Sequence, residues 1–490
     1  MTSDAPRPEA RAPRGFADRR ARDLVAERRI LAAVSAVYER YGFEALDTGA
    51  LEYADALGKF LPDADRPNEG VFALQDDDEQ WMALRYDLTA PLARFAAQNW
   101  ESLPKPFRRY AFGTVWRNEK PGPGRYREFT QCDADTVGSS RPEADAEIIA
   151  MAVEGLGAAG LPAGAFVLKI NNRKLLNGLL AKAGVTGEGQ KLAVLRAVDK
   201  LDRLGPDGVR LLLGEGRKDE SGAFTKGAGL NAAAAESVLA FTAAGAAGRG
   251  ATLDRLADVI GGSEEGDAGL EELARIDAAL TGMGVSAAQA AFDPSVVRGL
   301  EYYTGPVFEA ELLLETADEK GQPVRFGSVG GGGRYDDLVA RFTGQPVPAT
   351  GFSFGVSRLA AALRAAGRDL GGEARGPVVV IAFDQQHMAE YYAVAGELRS
   401  AGIAAEVYLG SSGMKAQMKY ADRRLSPAAV ILGGDEIAAG TVTVKDLDLG
   451  RELAAGVTDN SQWREQRPGQ ATIPRGELLA FVRRIVEGGR

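Results

Sequence analysis

Two apolar-rich segments separated by a short loop constrain the fold of this chain more than any other feature. They span Tyr110–Arg117 and Glu128–Val137, and their composition predicts two strands joined at a turn rich in glycine and proline. Gln131, Asp133 and Asp135 alternate along the second strand, so their side chains project to the same face of a sheet. The pattern predicts a sheet with one polar, acidic face beside a loop.

The loop between these strands carries charges that suit phosphate binding. Arg117 and Glu119 lie at its near edge, and Arg125 and Arg127 lie at its far edge. Guanidinium groups held at strand ends suit oriented binding of a polyphosphate, because their planar forks match pairs of phosphate oxygens. The loop and the acidic face together indicate one site that holds a nucleotide next to a small cationic or hydrogen-bonding substrate.

Length and composition predict a soluble chain of several domains. The 490 residues allow two or three domains, and 45% hydrophobic and 26% charged residues are ordinary for a globular protein. No apolar run approaches the ~18 residues of a membrane span, so we expect no membrane partner. Residues 1–14 lack the apolar core of a secretory signal, and we expect them to form a disordered tail.

One cysteine and one histidine exclude several kinds of chemistry. Cys132 cannot form an intramolecular disulfide, so a cytoplasmic location is the default, and its place within a strand predicts a small packed residue. His387 alone cannot build a metal site or support histidine-based catalysis. We therefore expect no zinc or haem and no metal held by protein side chains, and we also expect no flavin.

The distribution of charge bears on nucleic-acid binding. A net charge of −10 argues against a protein that coats DNA or RNA indiscriminately. Residues 376–490 carry 13 Lys/Arg and 14 Asp/Glu, a net −1, so −9 of the total lies elsewhere. This asymmetry favours the C-terminal region as the part that approaches RNA.

The N-terminal third alternates helices and strands. Residues 22–41 place apolar side chains at helical spacing, and a strand-like segment Phe43–Leu51 follows. A strand Trp81–Tyr86 precedes a helix Ala90–Gln98, and Asp87 and Thr89 are residue types that cap helices well. A capping role and a substrate-binding role are both open for these two residues.

The remaining chain divides by composition. Residues 178–285 are rich in Ala, Gly and Leu and predict helices such as Lys191–Leu204, and residues 366–376 predict a linker. From residue 377 buried strands alternate with helices, which predicts a mixed or parallel sheet covered on both faces. Gly330–Gly333 is a glycine run, which by itself usually marks a flexible turn.

Several of these segments resemble one family. Arg117-Asn-Glu119 and the run from Gly124 to Asp133 are similar to motif 2 of class II aminoacyl-tRNA synthetases, in the form found in histidyl-tRNA synthetases. Residues 22–51 resemble motif 1, Gly351–Leu359 resembles motif 3, and two peptides match the family's histidine-specific peptides, Val297–Glu309 and Gly330–Asp336. The family usually has proline at Gly49 and glutamate at Asp135 and at Ser357.

The resemblance implies a fold and its divisions. It implies an α+β class II catalytic domain around an antiparallel sheet, formed by residues 15–177 and 286–365. A helical insertion at 178–285, the linker 366–376 and a C-terminal α/β anticodon-binding domain at 377–490 complete the chain.

The resemblance also implies roles for individual residues. The histidine-binding set is Asp87, Thr89, Gln131, Asp135, Tyr302, Tyr303 and Tyr335. The ATP-binding set is Arg117 at the α-phosphate, Glu119 at the adenine, Arg125 at the γ-phosphate, and Phe129 and Arg358 on the two faces of the base. Arg298 and Arg117 are the implied catalytic residues, and Lys415, Lys419 and Arg423 are the implied tRNA-binding residues.

The physical chemistry agrees with these roles. An ammonium group needs a carboxylate and a hydroxyl close together, as Asp87 and Thr89 would supply. A carboxylate at Asp135 accepts from one imidazole N–H while the phenol of Tyr303 serves the other nitrogen. A fixed guanidinium at Arg298 is preorganised for the negative charge that develops during phosphoryl chemistry.

The implied activity is the joining of L-histidine to its cognate tRNA with Mg·ATP, by a homodimer that needs no DNA or membrane. The main alternative is a synthetase-like regulatory subunit of ATP phosphoribosyltransferase, which does not charge tRNA. A sensor of uncharged tRNA is a third possibility. The C-terminal domain and the peptide Val297–Glu309 argue against the regulatory subunit, and the set Arg117, Arg298 and Arg358 argues against the sensor.

Overall fold

The computed structural model describes residues 8–60, 70–121, 126–218, 222–297, 303–314, 316–317, 323–324, 327–371, 375–454 and 469–488. The chain forms two compact units, residues 1–371 and residues 372–490. Each unit has its own sheet and its own hydrophobic core.

The first unit holds the segments predicted to be catalytic. Within the described residues its strands are β1 Glu44–Ala45, β2 Leu51–Tyr53, β3 Ala73–Gln75, β4 Trp81–Leu84, β5 Phe107–Trp116, β6 Glu128–Val137, β7 Phe166–Asn172, β8 Gly216–Lys218, β9 Phe224–Lys226, β10 Ala290–Phe292, β11 Pro306–Leu312, β12 Thr316–Ala317, β13 Pro323–Val324, β14 Ser328–Arg334 and β15 Ala349–Gly355. Its helices are α1 Ala21–Arg40, α2 Thr89–Asn99, α3 Pro142–Ala158, α4 Arg173–Lys182, α5 Glu188–Val198, α6 Leu201–Leu213, α7 Ala232–Thr242, α8 Arg249–Ile260, α9 Glu264–Gly282, α10 Asp337–Thr343 and α11 Val356–Ala365.

The main sheet of this unit is antiparallel at its centre, as expected. Among the described residues its strand order is β1-β5-β6-β15-β14-β11-β7-β10, and the strands from β5 to β7 pair antiparallel. Only the two edge strands pair parallel, β1 with β5 and β10 with β7. The predicted hairpin is confirmed as β5 and β6, and its second strand has the predicted bounds.

One face of the sheet is apolar and covered by helices. Cys132 and Ala134 in β6 are fully buried in the same cluster as Ile30 and Val34 of α1 and Ile149 of α3. Large apolar side chains buried in this way each stabilise the fold by roughly 1.5–3 kcal/mol. Cys132 is thus a packed core residue, as predicted, and burial raises the pKa of its thiol well above the usual range.

The opposite face is polar, because side chains alternate along each strand. Gln131, Asp133 and Asp135 all lie on this face, and all three are buried. The three polar side chains predicted to lie at the site are therefore shielded from bulk water.

The structure places the glycine run and corrects two predictions in this unit. The glycine run is β14, a central strand between β11 and β15, and not a turn; a Cβ at Gly332 would lie 2.0 Å from the Gly351 carbonyl oxygen. The strand predicted at 43–51 is interrupted between β1 and Leu51 of β2, where the Thr48 carbonyl accepts from the Arg85 guanidinium. The helix predicted at Lys191–Leu204 is two helices, α5 and α6.

The helices from α4 to α9 belong to the same core as the sheet. Leu239 of α7 and Ile276 of α9 are buried in one cluster with Leu168 and Phe308 of the sheet. A short hairpin, β8 and β9, also lies within this stretch of helices.

The second unit is a separate α/β layer structure. Within the described residues its strands are β16 Val378–Ile381, β17 Ala405–Val407, β18 Ala428–Ile431, β19 Thr441–Asp446 and β20 Gln470–Pro474, and its helices are α12 Met388–Ser400, α13 Met414–Arg423, α14 Gly434–Ala439, α15 Leu447–Ala454 and α16 Leu478–Val486. The order is β17-β16-β18-β19-β20, parallel for the first three strands and antiparallel for the rest.

The prediction of a mixed sheet covered on both faces is confirmed. Val378 and Val380 pack into one buried cluster, and Val379 and Ile381 pack into another on the opposite face. Across both units, no helix in the described part of the chain is long and apolar enough to span a membrane.

Candidate active site

Glycines opposite the acidic strand keep the polar face of the first sheet open. Strand register pairs Asp135 with Gly351, and Gln131 with both Gly113 and Gly355. A Cβ at Gly351 would lie 1.9 Å from Asp135 Oδ1. The flanking strands therefore carry no side chain at positions 351, 113 and 355, whereas Arg109 of β5 and Ser353 of β15 face the acidic residues.

Asp135 lies at the centre of a buried polar cluster. Its Oδ1 accepts a hydrogen bond from the hydroxyl of Tyr335, and its Oδ2 lies 2.9 Å from Nη2 of Arg109. Oδ2 receives no hydrogen bond from the described residues. Burial raises the pKa of the Asp135 carboxyl, and Arg109 and the Tyr335 hydroxyl oppose that shift. Two predicted histidine-binding residues, Asp135 and Tyr335, are therefore in direct contact.

Asp133, two residues earlier on the same face, forms a second buried carboxyl group. Its Oδ1 accepts from the hydroxyl of Ser353 on β15. Burial raises the pKa of Asp133 to about 8, with Asp135 adding to the shift and Arg109 opposing it. The sequence placed Asp133 on the site face but gave it no role.

Asp87 acts as a helix cap in this structure. Its Oδ1 accepts from the backbone N–H groups of Thr89, at 3.1 Å, and Ala90, at 2.9 Å, at the start of α2. Burial raises the pKa of the Asp87 carboxyl, and the Ala90 N–H and Arg117 oppose the shift. The capping interpretation is therefore observed, and the substrate role of Asp87 and Thr89 remains a prediction.

Arg117 lies between two aromatic rings at the end of β5. Its guanidinium carbon is 4.4 Å from the ring centre of Tyr86 and 5.1 Å from that of Phe129. Its Nε donates to the Tyr86 carbonyl oxygen at 3.4 Å. Cation–π contacts of this kind fix the direction of a guanidinium without neutralising its charge.

Glu119 belongs to the same group of side chains. The Tyr86 hydroxyl donates to Glu119 Oε1 at 2.8 Å, and burial together with Glu119 raises the pKa of Tyr86 to about 12. Arg117, Glu119 and Phe129, which were predicted to bind ATP, are thus brought together by Tyr86, which the sequence reasoning did not name.

Ser357 and Arg358 begin α11 beside β6. The Thr130 N–H donates to Ser357 Oγ at 3.2 Å, which ties the start of α11 to the residue after Phe129. Arg358 follows directly and its side chain is exposed. At the same point Thr130 Oγ1 accepts from Nη1 of Arg19 at 3.3 Å.

Tyr303 lies over the glycine strand. A Cβ at Gly333 would meet the Tyr303 ring at 2.8 Å, so glycine at that position makes room for the ring. The adjoining Thr304 donates through Oγ1 to Asp336 Oδ2 at 2.9 Å, which joins the two histidine-specific peptides to each other. Burial lowers the pKa of Arg173 to about 10, and nearby Tyr303 opposes this shift.

One further residue predicted to bind the substrate lies on the site face, and three predicted site residues fall outside the described residues. Gln131 is buried on the site face, and its Oε1 accepts no hydrogen bond from the described residues. Arg125, Arg298 and Tyr302 lie outside the described residues.

Sequence reasoning missed the buried arginines of this region. Arg109 is fully buried and pairs with Asp135, and Arg85 donates to the carbonyl oxygens of Thr114 and Thr48. Phe107, Arg109 and Ala111 occupy every second position of β5, so their side chains share one face of the strand, which is the site face. This period of two was the signal in the sequence that could have placed Arg109 in the site.

The implied tRNA-binding residues lie on one side of α13. Lys415, Lys419 and Arg423 are spaced four residues apart and are exposed. No Asp or Glu of the described residues lies within ion-pair distance of these three cations. For metals, the described part of the chain has no cluster of three or more His, Cys, Asp or Glu that could hold an ion.

An antiparallel sheet with an arginine-bearing hairpin, a glycine strand and a strand-to-helix arginine is the catalytic architecture of class II aminoacyl-tRNA synthetases. The family model described as histidyl-tRNA synthetase matches residues 15–359, and the model described as anticodon binding domain matches residues 377–484. The chain belongs to the histidyl-tRNA synthetase family.

Individual relatives match along the whole chain. The histidine–tRNA ligase of Caulobacter vibrioides is 78% identical over 483 residues, which cover 98% of each chain. That of Brucella suis is 56% identical and covers 99% of this chain and 98% of its own. The crystal structure of histidyl-tRNA synthetase from Nostoc superposes with a TM-score of 0.71 at 27% identity, and covers 98% of this chain and all of that one.

Proposed function

We propose that this chain is a histidine–tRNA ligase that works in two steps. In the first, a carboxylate oxygen of histidine attacks the α-phosphorus of ATP, and the bond to the β-phosphate breaks to release pyrophosphate. In the second, a ribose hydroxyl at the 3′ end of the tRNA attacks the carbonyl carbon of the adenylate, and AMP leaves. The observation that carries this proposal is the full-length match to ligases, anticodon-binding domain included.

The buried cluster around Asp135 supports histidine as the substrate. Oδ2 keeps an unused acceptor position toward an imidazole N–H, and Tyr335 and Arg109 hold the carboxylate in place. Tyr303 would serve the other ring nitrogen, with Tyr302 beside it. An analogue without the ring N–H would leave a buried carboxylate unpaired, which is a strong basis for selection.

The amino-acid end of the substrate would lie toward α2. Asp87 and Thr89 would bind the α-ammonium group, and Gln131, whose Oε1 is unused, would bind the amino and carboxylate groups. Asp87 can cap the helix through Oδ1 and bind an ammonium at the same time, since a carboxylate accepts about four hydrogen bonds.

ATP would lie along β5 and β6. Arg117 would hold the α-phosphate, Glu119 the adenine, and Arg125 the γ-phosphate, with Phe129 and Arg358 on the faces of the base. The aromatic contacts of Arg117 support this role because they orient a full positive charge toward the phosphates. Mg²⁺ would enter with ATP, bound to its phosphate oxygens.

No side chain need act as a covalent nucleophile in this scheme. Arg298 would bind the α-phosphate and the substrate carboxylate, and together with Arg117 it would stabilise the charge of the pentacoordinate transition state. Catalysis then comes from positioning and charge stabilisation.

A homodimer is supported by an exposed apolar sheet face. β2, β4 and β3 form a three-stranded sheet in which Tyr53 and Leu74 both pair with Met82 and so share one face. Leu51, Tyr53 and Leu74 on that face are 41%, 56% and 43% exposed. A second copy of the chain would cover this sheet face. Sedimentation of the Tyr53→Asp variant as a monomer would support the homodimer.

The function is tested by histidine-dependent ATP–pyrophosphate exchange with twenty amino acids in parallel, repeated with Arg298→Ala. We expect exchange with histidine and with no other amino acid, and we expect Arg298→Ala to abolish it. Charging of tRNA with labelled histidine then tests the second step. A folded protein that supports no exchange would overturn the proposal and favour a regulatory subunit. We place the reaction in the cytoplasm, where ATP and tRNA are available.

A further inference from the structure

Arg109 differs from two other buried arginines of this unit, Arg249 and Arg334. Arg249 pairs with Asp277 and also donates to the Ala290 and Val285 carbonyl oxygens. Arg334 pairs with Asp145 and also donates to two backbone carbonyl groups. Arg109 is fully buried, yet its Nε and Nη1 have no acceptor among the described residues.

The contacts that Arg109 does make join two parts of the site. Its Nη2 donates to the carbonyl oxygen of Leu88 at 2.9 Å, and the same nitrogen lies 2.9 Å from Asp135 Oδ2. Leu88 lies between Asp87 and Thr89, the proposed ammonium-binding pair, whereas Asp135 is the proposed imidazole acceptor. One nitrogen atom thus contacts both ends of the proposed histidine site.

We infer that Arg109 is a positioning residue that fixes the distance between the imidazole-binding carboxylate Asp135 and the ammonium-binding turn at Leu88. The inference rests on the proposed function, because it assigns no new substrate. In a bound histidine the imidazole ring and the amino group lie a set distance apart. Asp135 and the turn at Leu88 can therefore bind both groups only when the distance between these two parts of the site stays the same. A misplacement of about 1 Å can cost roughly 100-fold in rate or binding.

The charge balance supports the same role. Arg109 faces Asp135, Asp133 and Asp87, and each of these carboxyl groups interacts with its charge. Removing the arginine alone would leave buried carboxylates without their shared cation, which is strongly destabilising. Asp133 is largely ionised only above about pH 8, and in that range removing Asp133 together with Arg109 restores the balance of charge but not the contact with Leu88.

The test compares three variants by exchange kinetics and thermal unfolding. Arg109→Lys keeps the charge but loses the planar fork, so we expect the KM for histidine to rise about 10- to 100-fold while that for ATP changes by less than about twofold. The double variant Arg109→Gln, Asp133→Asn is compared with the wild type at about pH 9, where Asp133 is ionised, and is expected to unfold near the wild-type temperature and still to show the raised KM for histidine. Arg249→Lys, a buried arginine in the helical region, is the matched control and should leave both KM values unchanged.

A folded Arg109→Lys enzyme with a normal KM for histidine would overturn the inference. So would a parallel rise of both KM values, or a double variant in which the KM for histidine recovers together with stability. If the wild-type chain itself supports no histidine-dependent exchange, the proposed function fails, and this inference fails with it.

Discussion

The carboxylate of Asp135 occupies the space that a side chain at Gly351 would need. The two residues face each other across β6 and β15, and a Cβ at Gly351 would lie 1.9 Å from Oδ1. The same Oδ1 accepts the hydrogen bond of Tyr335. Glycine at position 351 is therefore a condition for the geometry of the carboxylate.

Replacing this glycine should displace Asp135. We expect Gly351→Ala to lower kcat/KM for histidine by roughly 100-fold, because the acceptor for the imidazole ring shifts. Gly157→Ala is the control, since a Cβ there meets no atom within 4 Å. Steady-state exchange kinetics on both variants measure the effect, and equal activity of the two would contradict the assignment of Asp135.

Asp87→Asn separates helix capping from ammonium binding. Asparagine caps a helix about as well as aspartate, so the free energy of unfolding should change by less than about 0.5 kcal/mol. It lacks the negative charge that an ammonium group needs, so the KM for histidine should rise at least about tenfold. Chemical denaturation and exchange kinetics provide the two measurements. A stability loss without a change in KM would leave Asp87 as a cap only.

Arg117→Lys should slow the formation of the adenylate. Lysine has no planar guanidinium group to replace the one that contacts the rings of Tyr86 and Phe129. We expect a fall in kcat of about 100-fold or more for a lost transition-state contact. Arg108→Lys is the matched control on the same strand, where the arginine pairs with Glu147 at 3.2 Å, away from the site face. Single-turnover formation of the adenylate measures the effect, and comparable rates in both variants would exclude Arg117 from catalysis.

The buried carboxyl group of Asp133 predicts a pH dependence of stability. Its pKa is raised to about 8 in the folded chain, above the value of an unfolded aspartate, so the folded state holds this proton more tightly. The stabilisation that results is complete below about pH 4 and is lost as the pH rises toward 8.

Asp133→Asn removes this titration and keeps an acceptor for Ser353. Between pH 5 and 7.5 the wild type should lose stability relative to the variant by up to about 1.4 kcal/mol per pH unit. Urea unfolding across that range measures the difference, and parallel curves for the two proteins would show that Asp133 does not titrate as proposed.

The exposed cations of α13 predict a salt-dependent contact with tRNA. Lys419→Glu should weaken tRNA binding by roughly tenfold and lower the slope of log affinity against log salt by about 1–2. Histidine-dependent exchange should not change, because the substitution lies in the second unit. Arg483→Glu on α16 is the control; an equal loss of affinity there would indicate a general charge effect rather than contact by α13.

The sequence predicted what depends on local pattern. The hairpin of β5 and β6 and the buried Cys132 follow from alternation of side chains along a strand. The sequence also predicts helices at Met388–Ser400 and Met414–Arg423, and the structure confirms both as α12 and α13. The strand predicted at 43–51 is limited to Glu44–Ala45 and to Leu51, where β2 begins, and between them Arg85, an arginine distant in sequence, binds the Thr48 carbonyl oxygen.

The sequence by itself determined the family, the polar strand face and the residues whose motifs are contiguous. Tertiary structure alone decided that Gly330–Gly333 is a central strand and that Arg109 joins Asp135 to Leu88. A glycine run looks like a turn until the rings and carbonyl groups that press against it are known. A buried arginine looks like a surface charge until its acceptors, contributed by other strands and turns, are brought to it. Both depend on contacts between residues far apart in the chain, and local pattern carries no information about them.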